Sequence, residues 1–137
     1  MSQENIEIVL RLLRANRSGP PEETSELVLL LTDPALEYRS RIAAVEGADY
    51  RGHQGVRKFF DDMADAFRTW RNEPDEIVEL TPDVVLVDNN FHGVGNESGI
   101  EVELRSAVVF AVSEGRVVRC VAYPTREEAL QAAGLWE

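Results

Sequence analysis

The feature that most constrains the fold is a change in hydrophobic period at about residue 69. Before it, apolar residues recur three or four positions apart, whereas after it they alternate or run continuously, as in β-strands. We predict four strands in this part of the chain, at about 68–80, 84–94, 100–112 and 116–123. The connectors between them are short and contain turn residues such as those at 113–115. Short connectors between consecutive strands favour an antiparallel meander.

The first half of the chain is mainly helical by the same criterion. A short strand is predicted at 36–41, and helices are predicted over about 2–15, 22–31, 56–67 and 125–134. Helices segregated from an antiparallel meander indicate an α+β fold. A length of 137 residues fits one domain, which we expect to span 1–137.

Two of the predicted strands are apolar on both faces, because 84–87 and 107–112 are uninterrupted hydrophobic runs. An antiparallel sheet normally leaves one face polar. If helices cover the inner face, the simplest cover for the outer face is the same sheet of a second copy. We therefore predict a homodimer through the sheet face. A monomer with an exposed apolar patch is the alternative.

Charge and composition exclude several kinds of partner. The formal net charge of −11 opposes contact with phosphate backbones, so nucleic acid is not an expected partner. No stretch approaches the roughly 20 apolar residues of a membrane helix, so no membrane partner is expected. His53 and His92 are far apart in sequence and the chain has one cysteine, which makes a poor metal-ligand set. With no glycine-rich phosphate loop either, we expect neither metal nor cofactor.

The single cysteine, Cys120, cannot form an internal disulfide bond. The N-terminus also lacks the basic start and apolar stretch of a secretory signal. Both features favour a reducing, cytoplasmic location. Cys120 lies in an apolar strand run, which favours a buried structural thiol over a nucleophile.

Four segments of the sequence, taken together, match a known family pattern: 2–9, 50–56, 115–119 and 123–135. In them the chain resembles the SnoaL-like (polyketide cyclase-like) family of the nuclear transport factor two-like superfamily, across essentially its whole length. The resemblance implies a cystatin-like, cone-shaped barrel in which a strongly curved antiparallel sheet packs on N-terminal helices. It also implies a pocket in the mouth of the cone and, usually, a dimer. The superfamily includes cyclases, isomerases, epoxide hydrolases, dehydratases and non-catalytic binding modules, so the fold does not fix the function.

Acid–base chemistry in such a pocket needs an ionisable group held inside an apolar cavity. His53 is a candidate, because the resemblance places its turn near the pocket mouth; a structural or helix-capping role is the alternative. On the strand 84–94, Asn89 has the same parity as Val85 and Val87 and is our candidate on the pocket face. Asp88 and His92 would then face water or a second copy, although alternation alone does not choose the face.

An aromatic wall with few polar points suits a small apolar ligand. Our candidate ligand-binding residues are Tyr38, His53, Phe60, Trp70, Asn72, Asn89 and Tyr123. Ordinary core packing is the alternative for each aromatic residue taken alone. We expect a protein that binds a small, largely apolar metabolite, and no catalytic residue is assigned. The alternatives are a lyase, isomerase or cyclase with a pocket His, Asp or Tyr as general acid–base, and a non-catalytic dimerisation module.

Overall fold

The computed structural model describes residues 2–15, 22–42 and 49–134. The helices are α1 (Ser2–Ala15), α2 (Glu22–Leu31), α3 (Gly52–Ala66) and α4 (Arg126–Gly134). The strands are β1 (Thr32–Arg39), β2 (Asp49–Arg51), β3 (Phe67–Thr81), β4 (Val84–Gly95), β5 (Glu101–Ser113) and β6 (Arg116–Tyr123). The predicted α+β fold is confirmed, and the four meander strands lie within one residue of their predicted bounds, whereas α3 and β1 each begin four residues earlier than predicted.

Among the described residues, the strands form one curved six-stranded sheet in the order β2-β1-β6-β5-β4-β3. The meander from β3 to β6 is antiparallel, as the short connectors predict. Register shifts interrupt the ladders in β3, near Pro74, and in β6, near Val118 opposite Ala111 and Val112. Such bulges bend a strand and increase its twist. The bending lets the sheet curve around the helices packed on its inner face.

Two details differ from the predicted sheet. β1 pairs in parallel with β6, with Tyr38 opposite Cys120, because β1 enters beside the last strand of the meander rather than beside a strand that follows it directly. The segment predicted as a turn before α3 contains the short strand β2, whose Tyr50 pairs with Tyr38. Sequence period cannot reveal a three-residue strand, because it is shorter than the repeats that define the pattern.

The main core lies between the inner face of the sheet and the first three helices. It includes Val9 of α1, Val28 of α2, Phe59 and Met63 of α3, and Phe91 of β4. All five side chains are buried. Burial of such side chains stabilises the fold by about 1.5–3 kcal/mol each. The same packing fixes the position of every inward-facing strand residue.

The outer face of the sheet is covered in part by the chain's own C-terminal helix. Ala129 and Ala133 of α4 pack on Val84, Leu86, Ala107 and Val109, all of which are buried. The small alanine side chains let the helix backbone approach the sheet closely, and Thr125 Oγ1 accepts the backbone N–H of Glu128 at the helix start (3.2 Å). Helix α4 therefore covers much of the apolar surface that led us to predict a second copy on this face, and the homodimer stays a prediction.

Among the described residues, no helix has the length and apolarity needed to cross a membrane.

Candidate functional site

A partly enclosed cavity of about 100 Å³ lies between the inner face of the sheet and helices α1, α2 and α3. Its walls are mostly apolar. The helices contribute Leu12, Leu13, Val28, Val56, Phe59, Phe60 and Met63, and the sheet contributes Leu36, Tyr38, Val87, Val108, Phe110, Val117, Cys120 and Ala122. The cavity exists because the bent sheet diverges from the straight helices while both keep their apolar faces turned inward.

A row of polar side chains crosses the inner face of the sheet along one level of this cavity. Asn89 Nδ2 on β4 donates to Asn72 Oδ1 on β3 (3.0 Å). On the other side of Asn89, Ser106 of β5 is its direct cross-strand partner. Arg41, just after β1, donates from Nη1 to Ser106 Oγ (2.9 Å). We call Asn72, Asn89, Ser106 and Arg41 the polar row; the first three line the cavity and are buried.

One acceptor of the polar row lacks a hydrogen bond. Asn89 Oδ1 is buried and meets no donor among the described residues. Leaving a buried acceptor unpaired costs about 1–3 kcal/mol, so proteins keep few such groups without a reason. A ligand or water in the cavity that carries a hydroxyl or N–H group would satisfy this oxygen.

Two titratable side chains are among the described residues that line the cavity, and burial keeps both neutral. Burial raises the pKa of the Tyr38 phenol far above its usual range, and the neighbouring Cys120 adds to the effect. Burial likewise raises the pKa of the Cys120 thiol. Tyr38 also packs edge-on against Phe59, with ring centroids 4.9 Å apart. At neutral pH both groups are weak hydrogen-bonding points in an apolar wall, not bases or nucleophiles.

Charged side chains are absent from the described part of the cavity wall, which contains no carboxylate, imidazole, ammonium or guanidinium group. Arg41 reaches the wall only through its hydrogen bond to Ser106. Within the described ranges, no three His, Cys, Asp or Glu side chains lie close enough together to hold a metal ion. What the arrangement can do chemically is to enclose an apolar body and to hydrogen-bond a polar end.

The structure brings four of the candidate ligand-binding residues together. Tyr38, Phe60, Asn72 and Asn89 all line the cavity. Asn89 lies on the inner face with Val87, as proposed from parity, and Asp88 and His92 lie on the outer face. There Asp88 approaches Arg126 (3.6 Å) and His92 approaches Glu73 (3.4 Å).

Three candidates lie elsewhere. His53 is part of the α3 start, where its Nε2 lies 3.0 Å from the backbone oxygen of Thr32, so it ties α3 to β1. Trp70 is a buried member of the core, beyond the cavity wall, and its Nε1 has no partner among the described residues. Tyr123 lies on the outer face beside α4. The position of His53 fits a structural role rather than ligand contact. The positions of Trp70 and Tyr123 fit ordinary packing rather than a place in the cavity wall.

Sequence reasoning did not identify Ser106 and Arg41 as site residues. Ser106 has the same parity as the apolar residues Val108 and Phe110, and a polar residue among such neighbours was the available signal. Arg41 offered no such signal, because its contacts are with Arg105 and Ser106, more than 60 positions away.

Comparison with known proteins adds a family and a set of fold relatives. The family model described as the SnoaL-like domain matches residues 23–120. No curated protein matches the sequence. An NTF2-like protein of unknown function from Burkholderia pseudomallei superposes with a TM-score of 0.75 at 18% identity, covering 93% of this chain and 95% of its own. TerC, co-crystallised with polyporic acid, gives 0.74 at 19% identity, covering 93% and 96%.

A third neighbour is RV0760c from Mycobacterium tuberculosis, in complex with estradiol-17beta-hemisuccinate. It superposes with a TM-score of 0.70 at 18% identity, covering 90% of this chain and 95% of its own. Identities this low establish a shared fold and nothing about a shared ligand.

Proposed function

Because this chain belongs to the SnoaL-like domain family, we propose that it binds a small, largely apolar ligand in the cavity between its sheet and helices. The observation that carries the proposal is the polar row across an otherwise apolar wall, with the unpaired Asn89 Oδ1 buried in it. Ligand sites are mostly apolar with a few placed polar groups, which is the composition found here. Two fold relatives solved with organic ligands support small-molecule binding as a use of this architecture.

The size of the cavity sets the size of the ligand. An apolar protein cavity of about 150 Å³ accommodates benzene. The cavity here is smaller, about 100 Å³, but it is only partly enclosed, so it suits a short aliphatic chain or a single ring whose polar end extends toward its open side. A larger ligand would need the helices to move away from the sheet.

The wall favours binding over proton transfer. General acid–base catalysis needs a group whose pKa lies near the working pH. Tyr38 and Cys120 have pKa values raised by burial, and the described lining offers no carboxylate or imidazole. His53, the residue on which a lyase or isomerase mechanism would depend, lies outside the wall beside the Thr32 carbonyl. The acid–base alternative therefore has less support than simple binding.

The proposal is tested by filling the cavity. Ala122 lies on the wall, so Ala122→Leu would place three extra carbon atoms in the hollow. Ala35→Leu is the matched control, since Ala35 is exposed and lies outside the wall. The probe is benzyl alcohol, an apolar ring with one hydroxyl group, titrated into ¹⁵N-labelled protein and followed by NMR chemical shifts.

We expect saturable chemical-shift changes of residues around the cavity in the wild type and in Ala35→Leu. Ala122→Leu should bind benzyl alcohol at least tenfold more weakly, which corresponds to a loss of about 1.4 kcal/mol or more of binding free energy. Equal binding by all three proteins, or no binding by the wild type, contradicts the proposal. Folding of each variant is checked by its thermal unfolding midpoint.

Three further expectations belong with this proposal. We infer one domain over 1–137 and, from the lone buried Cys120, a reducing cytoplasmic location. A homodimer through the sheet face has less support than the apolar runs alone suggest, because α4 covers part of that face. Beyond α4, the outer face carries paired charges, such as Arg71 with Glu73 (2.7 Å), which are typical of a face turned to water. Analytical ultracentrifugation measures the oligomeric state directly.

A further inference from the structure

Arg41 closes a gap at the edge of the cavity. β6 ends at Tyr123, which pairs with Ala107, so the residues of β5 before Ala107 have no β6 neighbour. Arg41 fills this place from the end of β1: its Nη1 donates to the backbone oxygen of Arg105 (3.0 Å) and to Ser106 Oγ (2.9 Å). The guanidinium group is therefore the end member of the polar row, beside Ser106.

No described residue of the protein neutralises the charge of Arg41. Arg41 is half-buried, and no carboxylate of the described residues lies within ion-pair distance of it. By contrast, Arg105 pairs with Asp75 on the outer face (2.5 Å). The two hydrogen bonds of Nη1 leave three of the five guanidinium N–H donors for another acceptor.

We propose that Arg41 makes the cavity selective for ligands with an anionic polar end, namely small carboxylic acids with an apolar ring or chain. The inference rests on the proposed binding function and adds the ligand's charge to it. In this arrangement the apolar body lies among the core side chains, and the carboxylate meets the polar row at its Arg41 end. Guanidinium groups match carboxylates in shape as well as charge, because two parallel N–H donors face two oxygens.

The net charge of −11 does not remove this preference. At physiological ionic strength, charges more than about 8 Å apart are largely screened. The affinity for a carboxylate that touches Arg41 depends mainly on that contact. The repulsion between the carboxylate and most acidic side chains of the protein is screened by the surrounding salt solution. Arg41 is half-buried and not fully enclosed, so we take the lower end of the free-energy range for hydrogen bonds to charged groups. This corresponds to roughly a tenfold gain in affinity for the carboxylate.

The test compares three probes that share one ring and differ in the charge of the polar end: benzoate, benzyl alcohol and benzylamine at pH 7. Dissociation constants are measured by NMR titration of the wild type, Arg41→Gln, Arg41→Lys and Arg39→Gln. Arg39 is the matched control, because it is exposed, pairs across to Val121 on the outer face, and carries the same charge two residues away.

We expect the wild type and Arg39→Gln to bind benzoate about tenfold more tightly than benzyl alcohol, and benzylamine least tightly. Arg41→Gln should bind benzoate and benzyl alcohol equally, and Arg41→Lys should recover part of the preference. Independently of any variant, the Arg41 Nε–H resonance of the wild type should shift with benzoate and not with benzyl alcohol.

Each other outcome identifies what has failed. If benzyl alcohol binds and benzoate binds no better, or if the preference survives in Arg41→Gln, the charge inference is wrong while the cavity proposal stands. If the Arg41 resonance does not move with benzoate, the inference is also wrong, even where a variant fails to fold. If none of the three probes binds, both the inference and the proposed function are wrong.

Discussion

Replacing Asn89 by leucine should make the protein more stable and a poorer binder. Asn89 is buried on the cavity wall, with one hydrogen bond to Asn72 (3.0 Å) and an unpaired Oδ1. Removing the unpaired acceptor gains about 2 kcal/mol, and taking the Asn89 donor away from the Asn72 oxygen costs about 2 kcal/mol. Leucine is similar in shape and adds apolar burial worth about 1.5 kcal/mol. The net is about 1.5 kcal/mol in favour of the variant.

The assay is urea unfolding at equilibrium, with the slope of the free energy against urea checked for equality between proteins. Asn89→Asp is the control of equal shape, and it should lose about 2 kcal/mol or more because it buries a carboxylate beside the Asn72 oxygen. In the benzyl alcohol titration, Asn89→Leu should bind more weakly than the wild type despite its greater stability. If Asn89→Leu unfolds more easily by about 2 kcal/mol, the amide is fully satisfied in the native state and our reasoning about the polar row is refuted.

Two further predictions concern groups around the cavity. Tyr50 donates its hydroxyl to Asp62 Oδ2 (2.6 Å), and this bond lowers the pKa of the Asp62 carboxyl, so Tyr50→Phe should cost about 1 kcal/mol at pH 7. Because the lowered pKa stabilises the protein only while Asp62 is ionised, the cost should shrink as the pH falls below about 4, and a pH-independent cost in urea unfolding would argue against the linkage. Burial raises the pKa of the Cys120 thiol, so Ellman's reagent at pH 8 should react with it slowly in the native protein and at once in guanidinium chloride. Prompt reaction of the native protein would show that the thiol is accessible.

The long periodic segments could be predicted from the sequence because their packing is local in pattern. The stripe that includes Phe59 and Met63 marks α3, and alternation with turn residues marks the meander. The parallel placement of β1 beside β6 could not be read in this way. It pairs residues about 80 positions apart, and nothing in the local pattern of Tyr38 or Cys120 specifies that partner.

The packing of α4 on the outer face was not predicted, for a related reason. The runs at 84–87 and 107–112 correctly indicated strands buried on both faces. The sequence of α4 shows only a weak amphipathic pattern, because the helix packs through Ala129 and Ala133 rather than through large apolar residues. A helix that packs through alanines gives little sign of its buried face in the sequence, so a second copy was the simpler inference.

The candidate site was predicted in part. Asn72 and Asn89 were found because a polar residue on a buried parity stands out in a strand. Their hydrogen bond depends on the register of β3 against β4, which a bulge near Pro74 shifts. His53 was chosen for its chemistry, since histidine titrates near neutrality, but its backbone position at the start of α3 directs it to the Thr32 carbonyl.

The most direct test of the central claim is a crystal structure of the protein soaked with benzyl alcohol. We predict density for the ring between Phe60 and Val108, inside the described wall, with the hydroxyl within hydrogen-bonding distance of the polar row. Side chains filling that space, or a probe found only on the outer surface, would contradict the account.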